Sequence, residues 1–139
     1  MKWRALLLMM FIGNAYANDE LHLYNWNNYI SEETIARFEA QCACRVVQDY
    51  YSDNEEMLAK LAAGATGYDL IVPTGNAMES LIRQKALRPL DKNLLPNLWN
   101  IDPVYLNTQF DPGNNYSVPY AYTLTLIGFN SAKLRELDI

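Results

Sequence analysis

Histidine and cysteine are scarce in these 139 residues: one histidine, His22, and two cysteines, Cys42 and Cys44. A protein-bound zinc needs three or four such ligands converging on one point, and His22 lies far in sequence from either cysteine, so no metal centre is expected. Also absent are the G-x-S-x-G nucleophile elbow, the H-E-x-x-H helix and a phosphate-cradling glycine loop. The reading is therefore a protein that is not an enzyme and carries no cofactor. Basic residues are few as well, 11 against 16 acidic ones, for a net charge of -5. Only Arg83, Lys85 and Arg88 lie near one another, which argues against nucleic acid as a partner and against an anionic membrane surface. An acidic surface weakly favours cationic partners. The acidic pairs Glu32-Glu33 and Glu55-Glu56 fall in expected first turns of helices, where they complement the helix dipole.

No apolar run reaches the roughly 20 residues of a membrane span. The longest, Ala5 to Ile12, follows Lys2 and Arg4 and precedes Ala15-Tyr16-Ala17. A positive start, a short apolar stretch and small residues at the minus-three and minus-one positions make a secretory signal peptide cut after Ala17. The expectation is an exported protein starting at Asn18, with residues 1–17 as leader and the periplasm as destination. Loss of Lys2 and Arg4 takes the net charge from -5 to -7. Half of the residues are apolar and 12% aromatic, ample for the core of the one domain expected over 18–139. Export also places Cys42 and Cys44 where disulfides can form. A C-x-C bridge would close a very tight ring, so the favoured reading is two thiols without chemistry, with a strained redox pair as the alternative.

The coarse pattern is strand, helix, strand, repeated. Leu21 to Asn25 reads as a strand; Ser31-Glu32-Glu33 caps a helix running to about Cys42, with Ile35 and Phe38 on its buried side. Val46-Val47 with Tyr50 gives a second strand. Ser52-Asp53-Asn54-Glu55 has capping-box spacing, Met57, Leu58, Leu61 and Ala62 form an apolar stripe, and Gly64 is a natural stop. Tyr68 to Val72 is a third strand ended by Pro73, and Asn76 to Glu79 opens a third helix with Leu81 and Ile82 inward. Such alternation predicts an α/β fold with a mostly parallel sheet flanked by helices. Leu87 to Gln109, broken by Pro89, Pro96 and Pro103, reads as an ordered surface excursion. Phe110 to Asn115 is a turn cluster, and Tyr116 to Asn130 a long strand.

Ligands of open parallel sheets bind beyond the carboxyl ends of the strands. Two loops qualify: Trp26-Asn27-Asn28-Tyr29 and Pro73-Thr74-Gly75-Asn76. The first combines flat aromatic faces with amides, a recognition surface by composition, with capping of the core by Trp26 and Tyr29 as the alternative. Tyr120 and Tyr122, expected on one strand face, carry the same two readings. Charge preference stays open. Aromatic faces attract ammonium groups by roughly 0.5–2 kcal/mol, while helix N-termini favour anions by roughly 0.3–1 kcal/mol. Neither loop contains a carboxylate.

Three stretches carry a resemblance: Leu23-Tyr24-Asn25-Trp26-Asn27-Asn28-Tyr29-Ile30; Gly67-Tyr68-Asp69-Leu70-Ile71-Val72-Pro73-Thr74; and Asn115 to Tyr120 with Ile127-Gly128-Phe129-Asn130. In order and spacing the chain is similar to the spermidine/putrescine-binding periplasmic proteins. The resemblance implies the first lobe of a type II periplasmic binding protein, the solute-binding component of an ABC transporter. It also implies a polyamine or another small cationic solute as ligand and a permease in the inner membrane as partner. Trp26, Asn27 and Tyr29 fall where the family lines its polyamine channel. Thr74 falls where the family has a ligand-contacting Ser, and Asn76 where some members carry an aromatic contact. Family members continue into a second lobe, which supplies most of the carboxylates for the ammonium groups, so residues 18–139 are expected to be the N-terminal lobe alone. The competing expectations are a one-lobe interaction module without transport, and capture of an anionic solute.

Overall fold

Leu23, Tyr24 and Asn25 are buried one after another, so both faces of their strand are covered, as in the centre of a parallel sheet. The computed structural model describes residues 19–138; the expected leader, residues 1–17, and the cut before Asn18 lie outside the described residues. The chain falls into two compact units, Met1–Val72 and Pro73–Ile139.

In the first unit, strand β1 (Glu20–Trp26) lies between β2 (Arg45–Tyr51) and β3 (Leu70–Ile71), all parallel. The register runs from Glu20 opposite Arg45 to Trp26 opposite Tyr51. Strand β3 is shorter than the five residues expected. At its start the Asp69 carboxylate takes the His22 N–H at 2.8 Å in place of a ladder carbonyl, and the ladder begins at Leu70. Asp69 N–H to the His22 carbonyl, 2.9 Å, and Val72 N–H to the Tyr24 carbonyl, 3.1 Å, still tie both ends of the segment to β1.

Helices α1 (Glu32–Cys42) and α2 (Asn54–Ala62) connect these strands. Ser31 Oγ accepts the Thr34 N–H at 3.1 Å and so starts α1. The expected buried side of α1 is open: Ile35 is half-buried and Phe38 is 42% exposed. Helix α2 is capped one residue later than the spacing suggested. Asp53 accepts from the Glu56 N–H at 2.8 Å, and Glu56 accepts from the Ser52 N–H at 2.9 Å. An ionised carboxylate makes the stronger, charge-assisted cap, so Asp53 displaces Ser52. Met57 is fully buried, and Gly64, at φ 90°, ends the helix by donating its N–H to the Leu61 carbonyl.

Between α1 and β2 the structure corrects the free-thiol expectation. Cys42 and Cys44 are joined in a disulfide, with their Cα atoms 5.2 Å apart. The residue between them, Ala43, sits at φ 54° in the left-handed region, which folds the chain back far enough for two side chains one residue apart to meet.

In the second unit, α3 (Gly75–Arg83) buries Ala77, Met78 and Leu81, with Ile82 half-buried. A Cβ at position 75 would lie 2.3–2.7 Å from the Phe110 ring, so only glycine fits there. Three short 3-10 helices, Lys92–Leu94, Pro96–Asn100 and Pro103–Tyr105, order the following excursion; Pro96 and Pro103 open two of them, where a missing N–H costs nothing. The turn cluster is held by Asp111, 2% exposed. Its carboxylate accepts the N–H groups of Asn115, Tyr116 and Ser117 at 3.1, 3.0 and 2.8 Å and the Ser117 hydroxyl at 2.7 Å.

The long strand expected over Tyr116 to Asn130 does not form. Residues 117–130 carry no regular structure, and from Tyr120 to Asn130 every residue is exposed, with Ile127 93% exposed. Residues rich in β propensity make a strand only beside a partner strand, and the sheet among the described residues, β2-β1-β3, does not include this segment. Asn130 then caps α4 (Ser131–Glu136), accepting the N–H groups of Ala132 and Lys133 at 3.1 Å. The sequence pattern did not single out that helix.

Candidate functional site

The carboxyl ends of the three parallel strands bring Trp26, Tyr51 and Val72 together. Trp26 is the last residue of β1, and its indole N–H donates to the Val72 carbonyl at 2.8 Å. The Tyr51 hydroxyl donates to the same carbonyl. The Trp26 ring lies 4.6 Å from that of Tyr51 and 5.9 Å from that of Tyr29. Asn25, 1% exposed, turns its side-chain carbonyl onto the Trp26 N–H at 2.8 Å. Asn28 takes φ 59°, and its left-handed turn reverses the chain so that Tyr29 comes back beside Trp26. Asparagine tolerates that conformation better than most residues. Trp26 is half-buried, Asn27 exposed, and Tyr29 45% exposed. The indole is thus a fixed plate at the strand ends, with an exposed phenol and an exposed amide in the same loop.

Tyr51 escaped the sequence reading, because nothing local marks a tyrosine at the end of a second strand as a partner of Trp26. Burial first, then the phenols of Tyr24 and Tyr29, push its pKa well above the ordinary tyrosine value. It therefore stays protonated and donates. Also unforeseen is a cluster on β2 and α2. The Lys60 ammonium lies 2.6 Å from Asp49 and sits over the rings of Tyr24 and Tyr68 at 4.6 and 5.3 Å. The two rings stack at 4.6 Å, and the Tyr68 hydroxyl also donates to Asp49. Hydrogen bonds from Lys60 and then Tyr68 hold the Asp49 carboxyl below its usual range, and the same contacts raise Lys60. No local pattern marks it, since Lys60 and Tyr68 lie 11 and 19 residues from Asp49 along the chain.

In the second unit, Thr74 precedes α3 and Asn76 is in its first turn, both exposed. The Thr74 side chain does not cap the helix. Tyr120 and Tyr122 are 53% and 65% exposed. They do not share a strand face, because the strand is absent; instead Tyr122 stacks on Tyr105 at 4.9 Å. A cleft of about 250 Å³ lies between Leu94 and Val118. Its lining of six apolar residues and Asn97 offers no charge for an ionic ligand, and none of the candidate residues lines it.

No protein-family profile matches the chain. It is 54% identical over 132 residues to the putrescine/cadaverine-binding protein of Pseudomonas aeruginosa, across 95% of this chain and 37% of that one. It is 38% identical over 134 residues to the putrescine-binding periplasmic protein PotF of Escherichia coli, across 94% and 36%. Among solved structures it superposes on a putative spermidine/putrescine ABC transporter protein of Listeria monocytogenes with a TM-score of 0.71 at 35% identity, covering 74% of this chain and 32% of that one. The TpPotD lipoprotein of Treponema pallidum gives 0.69 at 42% identity, covering 74% and 33%. The chain spans about a third of the length of these relatives.

Proposed function

Homology to the N-terminal part of the periplasmic polyamine-binding proteins is the premise from which we infer that this chain forms one wall of a polyamine site. That site belongs to the solute-capturing component of an ABC transporter. The observation that carries the reading is the Trp26–Tyr29 pair at the carboxyl end of β1, with the indole locked on the Val72 carbonyl. An alkylammonium group over such a plate is attracted by the ring quadrupole, and prior locking spares the ligand the entropy of ordering it. Asn27 in the same loop supplies a neutral amide for an ammonium N–H. Thr74 and Asn76 at the start of α3, with Tyr120 and Tyr122, are proposed ligand contacts within the second unit. Residues 1–17 are the proposed leader, residues 18–139 the proposed solute-binding lobe, the periplasm the proposed location and an inner-membrane permease the proposed partner. The role is capture without catalysis.

Titration of the protein with putrescine, spermidine and a dicarboxylate, followed through the Trp26 indole N–H resonance, tests this. The expected result is a response to both amines and none to the dicarboxylate. Trp26→Ala, followed on the Tyr29 ring signals, should weaken amine binding by roughly 0.5–1 kcal/mol, about two- to fivefold. An unchanged constant would return Trp26 to a purely structural role. A response to the dicarboxylate alone would favour anion capture.

A further inference from the structure

The Cys42–Cys44 bridge does not have the build of a structural cross-link. A disulfide stabilises a fold chiefly by closing a long loop in the unfolded chain, and this one encloses a single residue. It is not sequestered either: Cys42 is exposed and Cys44 half-buried at the open end of α1. Ala43, between the two sulfurs, is left-handed at φ 54°, a conformation that ordinary L residues rarely adopt. The Cys44 N–H points at Cys42 Sγ from 3.2 Å, where it would steady a thiolate on that sulfur.

We propose that Cys42–Cys44 is a thiol–disulfide exchange site whose reaction partner is a dithiol in the surrounding medium. A thiolate of the partner attacks the exposed Cys42 Sγ; the Cys42–Cys44 bond breaks, Cys44 leaves as a thiolate and takes a proton, and a mixed disulfide joins Cys42 to the partner. The partner's second thiolate then attacks its own sulfur in that mixed disulfide. Cys42 leaves as a thiolate under the Cys44 N–H and is protonated in turn. The partner ends as a disulfide, having given up two electrons and two protons, and this chain ends as a dithiol. The site is separate from the Trp26 loop and does not depend on the ligand assigned there.

The test is native reduction. The purified protein is exposed without denaturant to reduced dithiothreitol, quenched with N-ethylmaleimide and weighed intact, with oxidised glutathione treated alongside. Two maleimides should appear at a rate within about tenfold of that of the accessible linear disulfide, with the far-ultraviolet dichroism unchanged. Labelling that requires denaturant, or that proceeds only with loss of the helical signal, would show a structural cross-link and overturn the proposal. Cys44→Ser supplies the second arm: with oxidised glutathione it should acquire one glutathione on Cys42, and absence of the adduct would exclude Cys42 as the attacked sulfur.

Discussion

Asp111 shows how much one buried side chain can organise. Three backbone N–H groups and a hydroxyl converge on its carboxylate, and Asn107 and Asn114, both left-handed, bind each other's segment beside it. Hydrogen bonds to an ionised acceptor contribute roughly 1.5–3 kcal/mol each, and donors left buried without a partner cost a further 1–3. Asp111→Ala should therefore destabilise the protein by about 3 kcal/mol or more, measured by urea denaturation with an unchanged m-value. Asp111→Asn, which keeps acceptor geometry at half the capacity, should cost less. The turn cluster was legible from its Asp-Pro-Gly-Asn-Asn composition, because such residues turn the chain by local hydrogen bonding. Which of them would be the hub was not, since that depends on burial. The same division holds at the candidate site. Trp26, Asn27 and Tyr29 were readable from strand-end position and side-chain type, whereas Asn25 and Tyr51, which hold the Trp26 end of the loop, act through contacts that no local pattern records.

Among the elements, local signals succeeded where local physics decides. The strands β1 and β2 and the helices α1, α2 and α3 follow from caps, glycine stops and apolar spacing. Over residues 116–130 the reading failed, because β propensity describes fit to a neighbouring strand and is not an intrinsic backbone state. The link between β2 and α2 through Asp49, Lys60 and Tyr68 makes a pH prediction. Asp49 is lowered in the folded protein, first by Lys60 and then by Tyr68. Its contribution is therefore fully present above the ordinary value of 3.8 and is lost as pH falls through the lower folded value. Tyr51 is raised by burial, Tyr24 likewise, and Lys60 by its bond to Asp49. Their contributions are present below the ordinary values of 10.0 for tyrosine and 10.5 for lysine and decline as pH rises above them. Thermal melts should give a plateau between these limits with both edges falling. Lys60→Met should flatten the acid edge, since the main cause of the Asp49 shift is gone; an acid edge identical to that of the parent would show that the pair is not coupled to folding.

On the scale of the whole molecule, charge sets what the chain can do as a receptor. A polyamine brings ammonium groups that tight binding must neutralise or solvate. The candidate contacts Trp26, Asn27, Tyr29, Thr74, Asn76, Tyr120 and Tyr122 are all neutral. The one carboxylate shown among stacked phenols, Asp49, is already engaged by Lys60. Exposed cation–π contacts contribute only about 0.5–1 kcal/mol each, against roughly 8 kcal/mol for a micromolar constant. Residues 18–139 should accordingly bind putrescine or spermidine in the millimolar range, read from the Trp26 indole resonance, and a micromolar constant for the monomer would show that a charged partner for the amine has been overlooked. Association is the second consequence. Leu124, Leu126, Ile127 and Phe129 are each at least 70% exposed along one short segment, and apolar side chains so displayed on an unpaired stretch of β-prone sequence favour strand addition between molecules. Sedimentation should show a weight-average mass that rises with concentration, and Ile127→Lys, which places a charge in the middle of the run without touching a buried residue, should suppress that rise while leaving the melting temperature unchanged. A variant that still associates as the parent does would move the contact elsewhere on the surface.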